Sequence, residues 1–432
     1  MSVSQEQQGS FAYMPTEIII RIMSDACLQP SDWYCLSLVN KNLSHVAQKE
    51  LYRQICLSVE QVKAWERLLR SFRGNAKLLS LVQHLRLKSA SVHSWTPVQN
   101  INMAVTDILG LHLPALESLL LESVKINRCL FEIDPLLPVR YLRLHQTSLA
   151  HATALMLLPN IEKLHIGYID DTVGPTNTVT APSVSSALAE RASRFSAVKD
   201  IRIDLRFNPY ASLSQFVTWP RELRSFHGSI IALGSLSPAL VDLYLEPVRE
   251  TLVELSLEAS TDDYTDVDGT FIYFERFKYV KELNTTASLL FGNNWNSHYA
   301  QRAGLYHRLP IALETLTIFF DAMTEAITTG REDEYLGKET PTDYLWIIEL
   351  TNLPNFKYLR VEEDLSTFDN SPNYVSFQWQ PHQIILQHFN SHSAQFEASL
   401  RSNKQHIEAM AARRTRMLAR RAAHSLGRIL QT

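Results

Sequence analysis

One short apolar template recurs along most of the chain. Its form is apolar-x-x-apolar-x-apolar, and its last two apolar positions are two residues apart, which is the period of a strand with one buried face. From Leu85 to Leu359 the copies are spaced by about 30 residues on average, which is enough for one strand and one helix. The template therefore predicts a series of similar strand–helix units. Clear copies start at Val82, Leu116, Val139, Ile161, Val198, Leu252, Leu313 and Phe356, and two degenerate copies start at Leu223 and Val280.

Prolines mark the predicted boundaries between helices and strands. Six of them lie one to three residues before a template start, where a helix must end and a strand begin. They are Pro114, Pro138, Pro159, Pro220, Pro310 and Pro354. We expect an α/β fold in which residues 81–365 form a horseshoe, with parallel strands on the concave face and helices on the convex face. An unrelated α/β fold with similar strands is the alternative.

A helical segment precedes the repeats. In residues 14–57, Pro15 can open a first helix, Ser31 or Asp32 can cap a second, and a third runs over Asn42–Tyr52. Three helices of this length bury only a modest part of their surface, and domains this small usually need disulfides, a metal or a partner. Neither cysteine spacing nor metal ligands are present here. A partner is therefore expected.

The same segment contains a series of short motifs. They read Met14-Pro15-x-Glu17-Ile18-Ile19-x-x-Ile22, then Asp32, then Leu36-Ser37-Leu38-Val39-Asn40-Lys41, then Val46-Ala47 and Leu51-Tyr52-Arg53. In this order and with these gaps, the segment resembles an F-box. It departs from the pattern at Trp33, where leucine is usual, and at Leu43, where tryptophan is common, but both remain apolar.

The resemblance implies docking onto the Skp-type adaptor of a cullin–RING ubiquitin ligase, and through the adaptor onto a cullin. The residues that carry this adaptor contact by position are Met14, Pro15, Ile18, Ile19, Ile22, Leu36, Leu38, Val39 and Leu43. The alternative is an ordinary helical subdomain whose apolar stripe is buried within the same chain. The repeats in turn resemble the irregular leucine-rich repeats that often follow an F-box, although the asparagine or cysteine rung of regular repeats is missing.

The outward-facing residues of the predicted strands are the candidates for binding a target protein, because they point away from the core. These candidates are His84, Arg86, Lys88, Arg143, His145, Lys163, His165, Arg202 and Arg360. The early strands are rich in basic residues, which favours an acidic or phosphorylated partner. The alternative for any one of them is a solvated position with no ligand.

Composition and motif searches favour no catalytic role. The chain is 45% hydrophobic and 20% charged, and its four cysteines form no CxxC pair. Residues 264–275 resemble a calcium loop but start with Tyr264, and His388 and His392 lack the glutamate of a zinc HExxH motif. We expect no cofactor, no metal and no enzymatic activity. With no apolar run of membrane-spanning length and no signal-like N-terminus, we expect a cytoplasmic or nuclear location.

The C-terminal segment differs from the rest in charge. Residues 397–432 hold 8 Lys and Arg against 2 Glu, a net charge of +6 within a chain of formal charge −4. A solvated or disordered helix, nuclear targeting, an acidic partner and membrane contact all remain open. Aromatic residues are not interleaved with the arginines, so nucleic-acid binding is not favoured. The insertion at 167–186 is rich in glycine, proline, serine and threonine and is expected to be a mobile loop.

These features predict six segments along the chain. They are a disordered N-terminus (1–10), an F-box (11–57), a linker helix (58–80), a leucine-rich-repeat solenoid (81–365), a C-terminal cap (366–396) and a basic helical or disordered tail (397–432). The predicted function is substrate recognition in an SCF-type ubiquitin ligase, with the adaptor on the F-box and an unidentified protein target on the repeats. The alternative is a repeat scaffold that joins no ligase.

Overall fold

The computed structural model describes two compact units, Met1–Val198 and Lys199–Thr432. The described residues are 15, 17–18, 20–21, 28–58, 60–89, 106–125, 137–169, 196–207, 209–232, 234–259, 265–292, 304–320, 345–363, 374–378 and 383–403. None of the helices in these ranges combines the length and the apolar character that a membrane crossing requires.

Two helices follow the helical residues 17–18 and 20–21 at the start of the first unit. Helix α1 covers Pro30–Ser37 and helix α2 covers Lys41–Arg53. The side chain of Asn40 accepts a hydrogen bond from the backbone N–H of Leu43 at 2.8 Å. An N-cap of this kind satisfies an amide that has no partner within the helix. Asn40 therefore fixes the point at which α2 begins.

Five parallel strands follow in the first unit. They are β1 (Gln54–Ser58), β2 (His84–Lys88), β3 (Ser118–Lys125), β4 (Tyr141–Thr147) and β5 (Lys163–Ile169). Each strand pairs with the next in chain order, and equivalent template positions are aligned. Leu85, Leu119, Leu142 and Leu164, for example, form one buried row across the sheet. The register shifts between Leu121 and Lys125.

Helical segments lie between these strands along the chain. They include α3 (Val62–Gly74), a 3₁₀ helix (Ala76–Leu81), residues 106–109 and α4 (Leu149–Leu155). Helix α3 buries Trp65, Leu69 and Phe72, which recur at spacings of four and three residues. This spacing puts the three side chains on one stripe of the helix. The stripe supplies the apolar contact that holds α3 in the unit.

The second unit repeats the same arrangement. Its parallel strands are β6 (Asp200–Phe207), β7 (Ser225–Ala232), β9 (Glu254–Ala259), β11 (Glu282–Thr286), β12 (Thr315–Phe320), β13 (Tyr358–Glu363) and β15 (Gln395–Asn403). Strand β14 (Tyr374–Gln378) pairs antiparallel with β15. Two short strands, β8 (Gly234–Leu236) and β10 (Thr265–Val267), form a separate parallel pair.

Short helices join the strands of this unit as well. They are α5 (Pro209–Thr218), α6 (Pro238–Tyr244), α7 (Ala287–Phe291), α8 (Leu345–Glu349) and α9 (Gln383–Ser391), with 3₁₀ helices at Glu246–Val248, Phe274–Arg276, Leu305–Arg308 and Leu350–Asn352. Aromatic side chains fill the space between them and the strands. The ring of Phe291, for example, lies 6.3 Å from that of Phe320 and 6.0 Å from that of Trp346. Large rings of this kind dominate core contacts.

The α/β prediction is confirmed in both units. Each of the ten template copies starts two residues before a strand, including the degenerate copies at Leu223 and Val280. The reason is visible in the burial pattern, since the second and third apolar positions of each clear copy point into the core. The proposed likeness to leucine-rich repeats in particular stays a prediction.

Two strands extend across predicted segment boundaries, and the boundaries themselves stay predictions. Strand β1, the first strand of the parallel sheet in the first unit, spans Gln54–Ser58 and so crosses the predicted end of the F-box at 57. At the other end, β15 continues to Asn403, whereas the basic helical or disordered tail was expected from 397. The buried Ala398 and the pairing of β15 with β13 explain why these residues belong to the sheet. Residues 170–186 and 404–432 lie outside the described part of the chain.

Candidate partner-binding surfaces

The N-terminal helices share a small apolar core. Leu43 and Val46 of α2 form its centre, and Leu43 is only 4% exposed. Partly buried side chains pack against this pair, namely Ile20, Leu28, Trp33 and Leu36. Two residues predicted to contact an adaptor, Leu36 and Leu43, are therefore engaged in packing within this segment. The Leu43 side chain is almost fully buried.

Other apolar side chains of this segment face solvent. Leu38 is 70% exposed and Val39 is 64% exposed, in the turn between α1 and α2. Tyr34, four residues before Leu38, is exposed too, as is Ile18. Residues four apart lie on one side of a helix, so Tyr34 extends the surface that Leu38 begins. We call Ile18, Tyr34, Leu38 and Val39 the exposed apolar group.

The remaining predicted adaptor contacts can be placed only in part. Pro15 is exposed, whereas Met14, Ile19 and Ile22 lie outside the described residues. The contact of all nine residues with an adaptor stays a prediction. Tyr34 was missed in the sequence analysis, although its spacing of four from Leu38 is the signal that could have identified it.

Helix α2 is joined to the sheet without an intervening loop. Its last residue is Arg53, and β1 begins at Gln54. The Arg53 side chain donates from Nε to Gln83 Oε1 at 2.8 Å, and the Arg53 carbonyl accepts from the Gln83 backbone N–H at 3.0 Å. The ring of Tyr52 lies 6.0 Å from that of Phe72 on α3. These contacts tie α2 to the first strands of the same unit.

The outer face of β1–β5, opposite the buried leucines, carries most of the predicted target-binding residues. Arg86, Lys88, Arg143 and Lys163 are exposed, and His84, His145 and His165 are partly exposed. Arg86 donates from Nε and Nη2 to Glu122 Oε2 at 2.9 and 2.6 Å. Two hydrogen bonds from one guanidinium to one carboxylate make a strong local pair. Arg86 and Glu122 therefore neutralise each other on this face.

Hydrogen bonds between neighbouring strands fix two histidines of this face. His84 Nδ1 lies 2.8 Å from Ser118 Oγ on the adjacent strand. His165 Nδ1 lies 3.0 Å from the Tyr141 hydroxyl, and the two rings meet edge to face with centroids 5.2 Å apart. The sequence identifies these histidines and Tyr141 as outward-facing but not Ser118, because the pairing between strands is not visible in the sequence.

The outer face of the second unit has a different charge pattern. Arg202 Nε lies 4.0 Å from Asp200 Oδ1, and Arg360 forms an ion pair with Glu362. Further carboxylates lie in the same aligned rows of residues, at Glu254, Glu258, Glu282 and Glu397. Arg202 and Arg360, both predicted to bind a target, therefore lie among acidic side chains.

Two titratable groups on this face have shifted pKa values. Burial lowers the pKa of His227, the nearby Arg202 lowers it further, and its Nε2 lies 3.0 Å from Ser225 Oγ. Burial and a hydrogen bond of 2.6 Å to Glu397 raise the pKa of Tyr358 to about 12. His227 is therefore held mainly in its neutral form, as expected for a partly buried imidazole.

The two motifs that resemble metal sites are engaged in local hydrogen bonds. Asp268 Oδ1 accepts from the Thr270 backbone N–H at 2.9 Å and from its hydroxyl at 2.6 Å. His388 Nε2 lies 2.8 Å from Thr351 Oγ1, and His392 Nδ1 lies 2.9 Å from the His388 carbonyl. Within the described ranges, no group of three metal-ligating side chains is placed to hold an ion.

Comparison with known proteins adds one finding about the N-terminal segment. Residues 11–58 match the F-box-like family model. The chain carries an F-box-like domain. The match agrees with the resemblance seen in the sequence, and it includes the exposed apolar group, the Leu43 core and strand β1. No curated protein sequence matches the chain.

F-box domains bind Skp-type adaptors, and the F-box-like domain supports a role in adaptor binding within SCF-type ubiquitin ligases. Proteins with this domain are generally non-catalytic receptors for substrates. The exposed apolar group lies within the matched residues, so it is the candidate surface for that contact.

Proposed function

We propose that this protein is the substrate-recognition subunit of an SCF-type E3 ubiquitin ligase. In this proposal the F-box-like domain binds the Skp-type adaptor and, through it, a cullin, while the strand repeats hold the target protein. The observation that carries the proposal is the exposure of Leu38 and Val39 within the segment that matches the F-box-like family.

The energetic argument concerns apolar surface left in water. Burying a leucine or valine side chain is worth roughly 1.5–3 kcal/mol. Leu38 and Val39 are 70% and 64% exposed, so most of this free energy can still be gained when a partner covers them. A contiguous exposed apolar patch marks an interaction site, and Leu38 and Val39 are adjacent in the same turn. Leu43 has a supporting role in the proposal, because it packs in the apolar core of the same segment with Val46, Trp33 and Leu36.

The mechanism is proximity. Tethering a target beside the ubiquitin-loaded enzyme makes the transfer effectively intramolecular, and this requires no catalytic side chain in the receptor. The direct connection of α2 to β1, with the hydrogen bonds between Arg53 and Gln83, supports this role. A target on the outer face of β1–β5 would be held in a defined orientation to the adaptor.

The competing function is a repeat scaffold that joins no ligase. In that case the apolar residues of the N-terminal helices would be buried within the chain, as Leu43 is. The exposure of Leu38, Val39 and Tyr34 favours the receptor.

Co-purification with a tagged Skp-type adaptor tests the proposal. The wild-type chain should co-purify with the adaptor, and Leu38→Asp should abolish this because it places a charge in the apolar contact. Leu243→Asp is the matched control, since Leu243 is a 55% exposed leucine on α6 in the other unit. Adaptor capture by Leu38→Asp at the wild-type level would refute the proposal. If the wild-type chain alone is monodisperse and its solubility does not change when the adaptor is co-expressed, the scaffold function is favoured.

A further inference from the structure

One side of helix α3 carries a row of cations. Lys63, Arg67 and Arg70 are exposed and are spaced by four and three residues, so their side chains lie on one side of the helix. At 3.6 residues per turn, this side faces away from the apolar stripe that α3 buries. Two more exposed cations follow, Arg73 at the end of α3 and Lys77 on the next 3₁₀ helix. We call Lys63, Arg67, Arg70, Arg73 and Lys77 the α3 basic ridge.

The cations of the ridge form no ion pair with any residue that the structure describes. Glu66 is the only carboxylate between Val62 and Leu81, so this stretch has a net charge of +4. Carboxylates of neighbouring elements are engaged elsewhere. Glu50 lies 3.5 Å from Arg53, and Glu60 accepts a hydrogen bond from Ser89 Oγ at 2.6 Å. The charge of the ridge is therefore available to a partner.

The arrangement also works against the helix that carries it. Like charges three and four residues apart on a helix repel each other and destabilise it, as Lys63, Arg67 and Arg70 do here. Other arginines of this chain share carboxylates instead, for example Arg249 and Arg276 on either side of Asp242. An anionic partner would relieve the repulsion within the ridge.

We propose that the α3 basic ridge binds the surface of an anionic lipid bilayer. This goes beyond the proposed function and does not depend on it, since it concerns where the receptor is held and not what it recognises. Clusters of four to eight Lys and Arg on an amphipathic helix are typical of proteins that bind anionic lipids, and each cation near such a surface strengthens binding roughly fivefold. A net charge of +4 therefore strengthens binding several-hundredfold, which corresponds to a reversible attachment.

The shape of the ridge favours a bilayer over a peptide. Peptides are held in grooves, in pockets or along sheet edges, whereas these cations project from the outer side of a helix. Lipids move sideways within a bilayer, so their headgroups can meet cations at any spacing. A flat anionic surface therefore needs no groove.

The ridge is poorly suited to nucleic acid. Duplex binding typically involves about six to ten phosphate contacts, which is more than five cations provide. Single strands are held by stacking of bases on exposed aromatic rings, but the aromatic side chains of α3, Trp65 and Phe72, are both buried. A lipid surface remains as the anionic partner that fits.

Cosedimentation of the purified full-length chain with phosphatidylcholine vesicles, prepared with and without phosphatidylserine, tests this proposal. We expect binding that requires phosphatidylserine and weakens as salt is added. Arg67→Gln/Arg70→Gln should weaken it roughly 25-fold, because two cations are lost, and Arg67→Glu/Arg70→Glu should abolish it. Arg221→Glu/Arg224→Glu is the matched control, since it changes two exposed arginines three residues apart in the other unit. It should leave binding within about twofold of wild type.

Four results would overturn the proposal. They are equal binding to both kinds of vesicle, wild-type binding by Arg67→Glu/Arg70→Glu, an equal loss in the Arg221→Glu/Arg224→Glu control, and ridge-dependent binding of an oligonucleotide or of polyglutamate that displaces the vesicles. Wild-type binding by the ridge variant would move the lipid contact to another basic segment, such as 404–432. Thermal melting identifies a loss that comes from unfolding, and in that case Arg67→Gln/Arg70→Gln decides, because glutamine is a good helix former.

Adaptor capture on the same samples separates this proposal from the ligase function. The ridge variants should capture the Skp-type adaptor as wild type does, while Leu38→Asp should still bind the phosphatidylserine vesicles.

Discussion

Replacing Leu38 by alanine should weaken adaptor binding without destabilising the chain. Full burial of a leucine side chain is worth roughly 1.5–3 kcal/mol, and Leu38 is 70% exposed, so its contact with a partner can contribute about 1–2 kcal/mol. At 1.4 kcal/mol per factor of ten, Kd should rise roughly 5- to 30-fold. The free energy of unfolding should change by less than about 0.5 kcal/mol, because an exposed side chain makes few native contacts.

Isothermal titration of the purified chain with a Skp-type adaptor gives the Kd values, and urea unfolding gives the stability. Val39→Ala, at 64% exposure, should behave in the same way. Leu243→Ala provides the control for an exposed leucine outside the F-box-like domain. If Leu38→Ala and Val39→Ala both shift Kd by less than about twofold, the exposed apolar group is not the adaptor surface. If either variant unfolds at much lower urea, the side chain has packing contacts that its exposure does not indicate.

Three further predictions concern stability. Leu43→Ala should lower the free energy of unfolding by about 2 kcal/mol or more in urea titrations, because it leaves a cavity beside Val46; an unchanged midpoint would contradict the buried position. Arg249→Met should lower the free energy of unfolding by about 1.5–3 kcal/mol in the same assay, because the buried Asp242 loses its 2.9 Å ion pair with Arg249 and keeps only Arg276 at 3.3 Å; an unchanged free energy would show that Arg276 alone is a sufficient partner. Burial lowers the pKa of His227 below 6.5, so the unfolded state binds its proton more readily and stability falls as the pH drops below that value. Melting curves from about pH 7.5 to 5.5 should therefore show a smaller loss for His227→Gln than for wild type, and equal slopes would contradict the shift.

The strands could be predicted from sequence because each template carries its own burial signal. The spacing of its last two apolar residues puts both side chains on one face of a strand, as seen for Leu85 and Leu87. Strand β1 is not predicted from the sequence, because Ile55 and Leu57 follow a helix directly and lie at the end of the segment that resembles an F-box. Strand β15 is not predicted from the sequence either, because its buried residues include the small Ala398 and its other residues are mostly polar.

The surfaces could be predicted only in part. Helical spacing shows which residues share one side of a helix, but it does not show whether that side packs within the chain or faces solvent. Leu43 and Leu38 both fall on apolar positions of the F-box pattern, yet Leu43 packs inside the segment while Leu38 faces solvent. The charges of the sheet face depend in the same way on pairing across the fold. Arg86 and Glu122 are 36 residues apart, so their mutual neutralisation becomes visible only when β2 and β3 are aligned.

Strand β1 affects how this protein can be dissected. Because β1 pairs along its whole length with β2, a chain shortened to begin after residue 58 would lose its outermost strand along with the F-box-like domain. The backbone N–H and C=O groups of His84–Lys88 that pair with β1 would then have no partner. An unpaired strand edge of this kind can pair with another copy of the chain and so promote aggregation. Deletion of the domain would therefore produce aggregation that could be mistaken for a loss of target binding, and point variants such as Leu38→Asp are the safer way to separate the two activities.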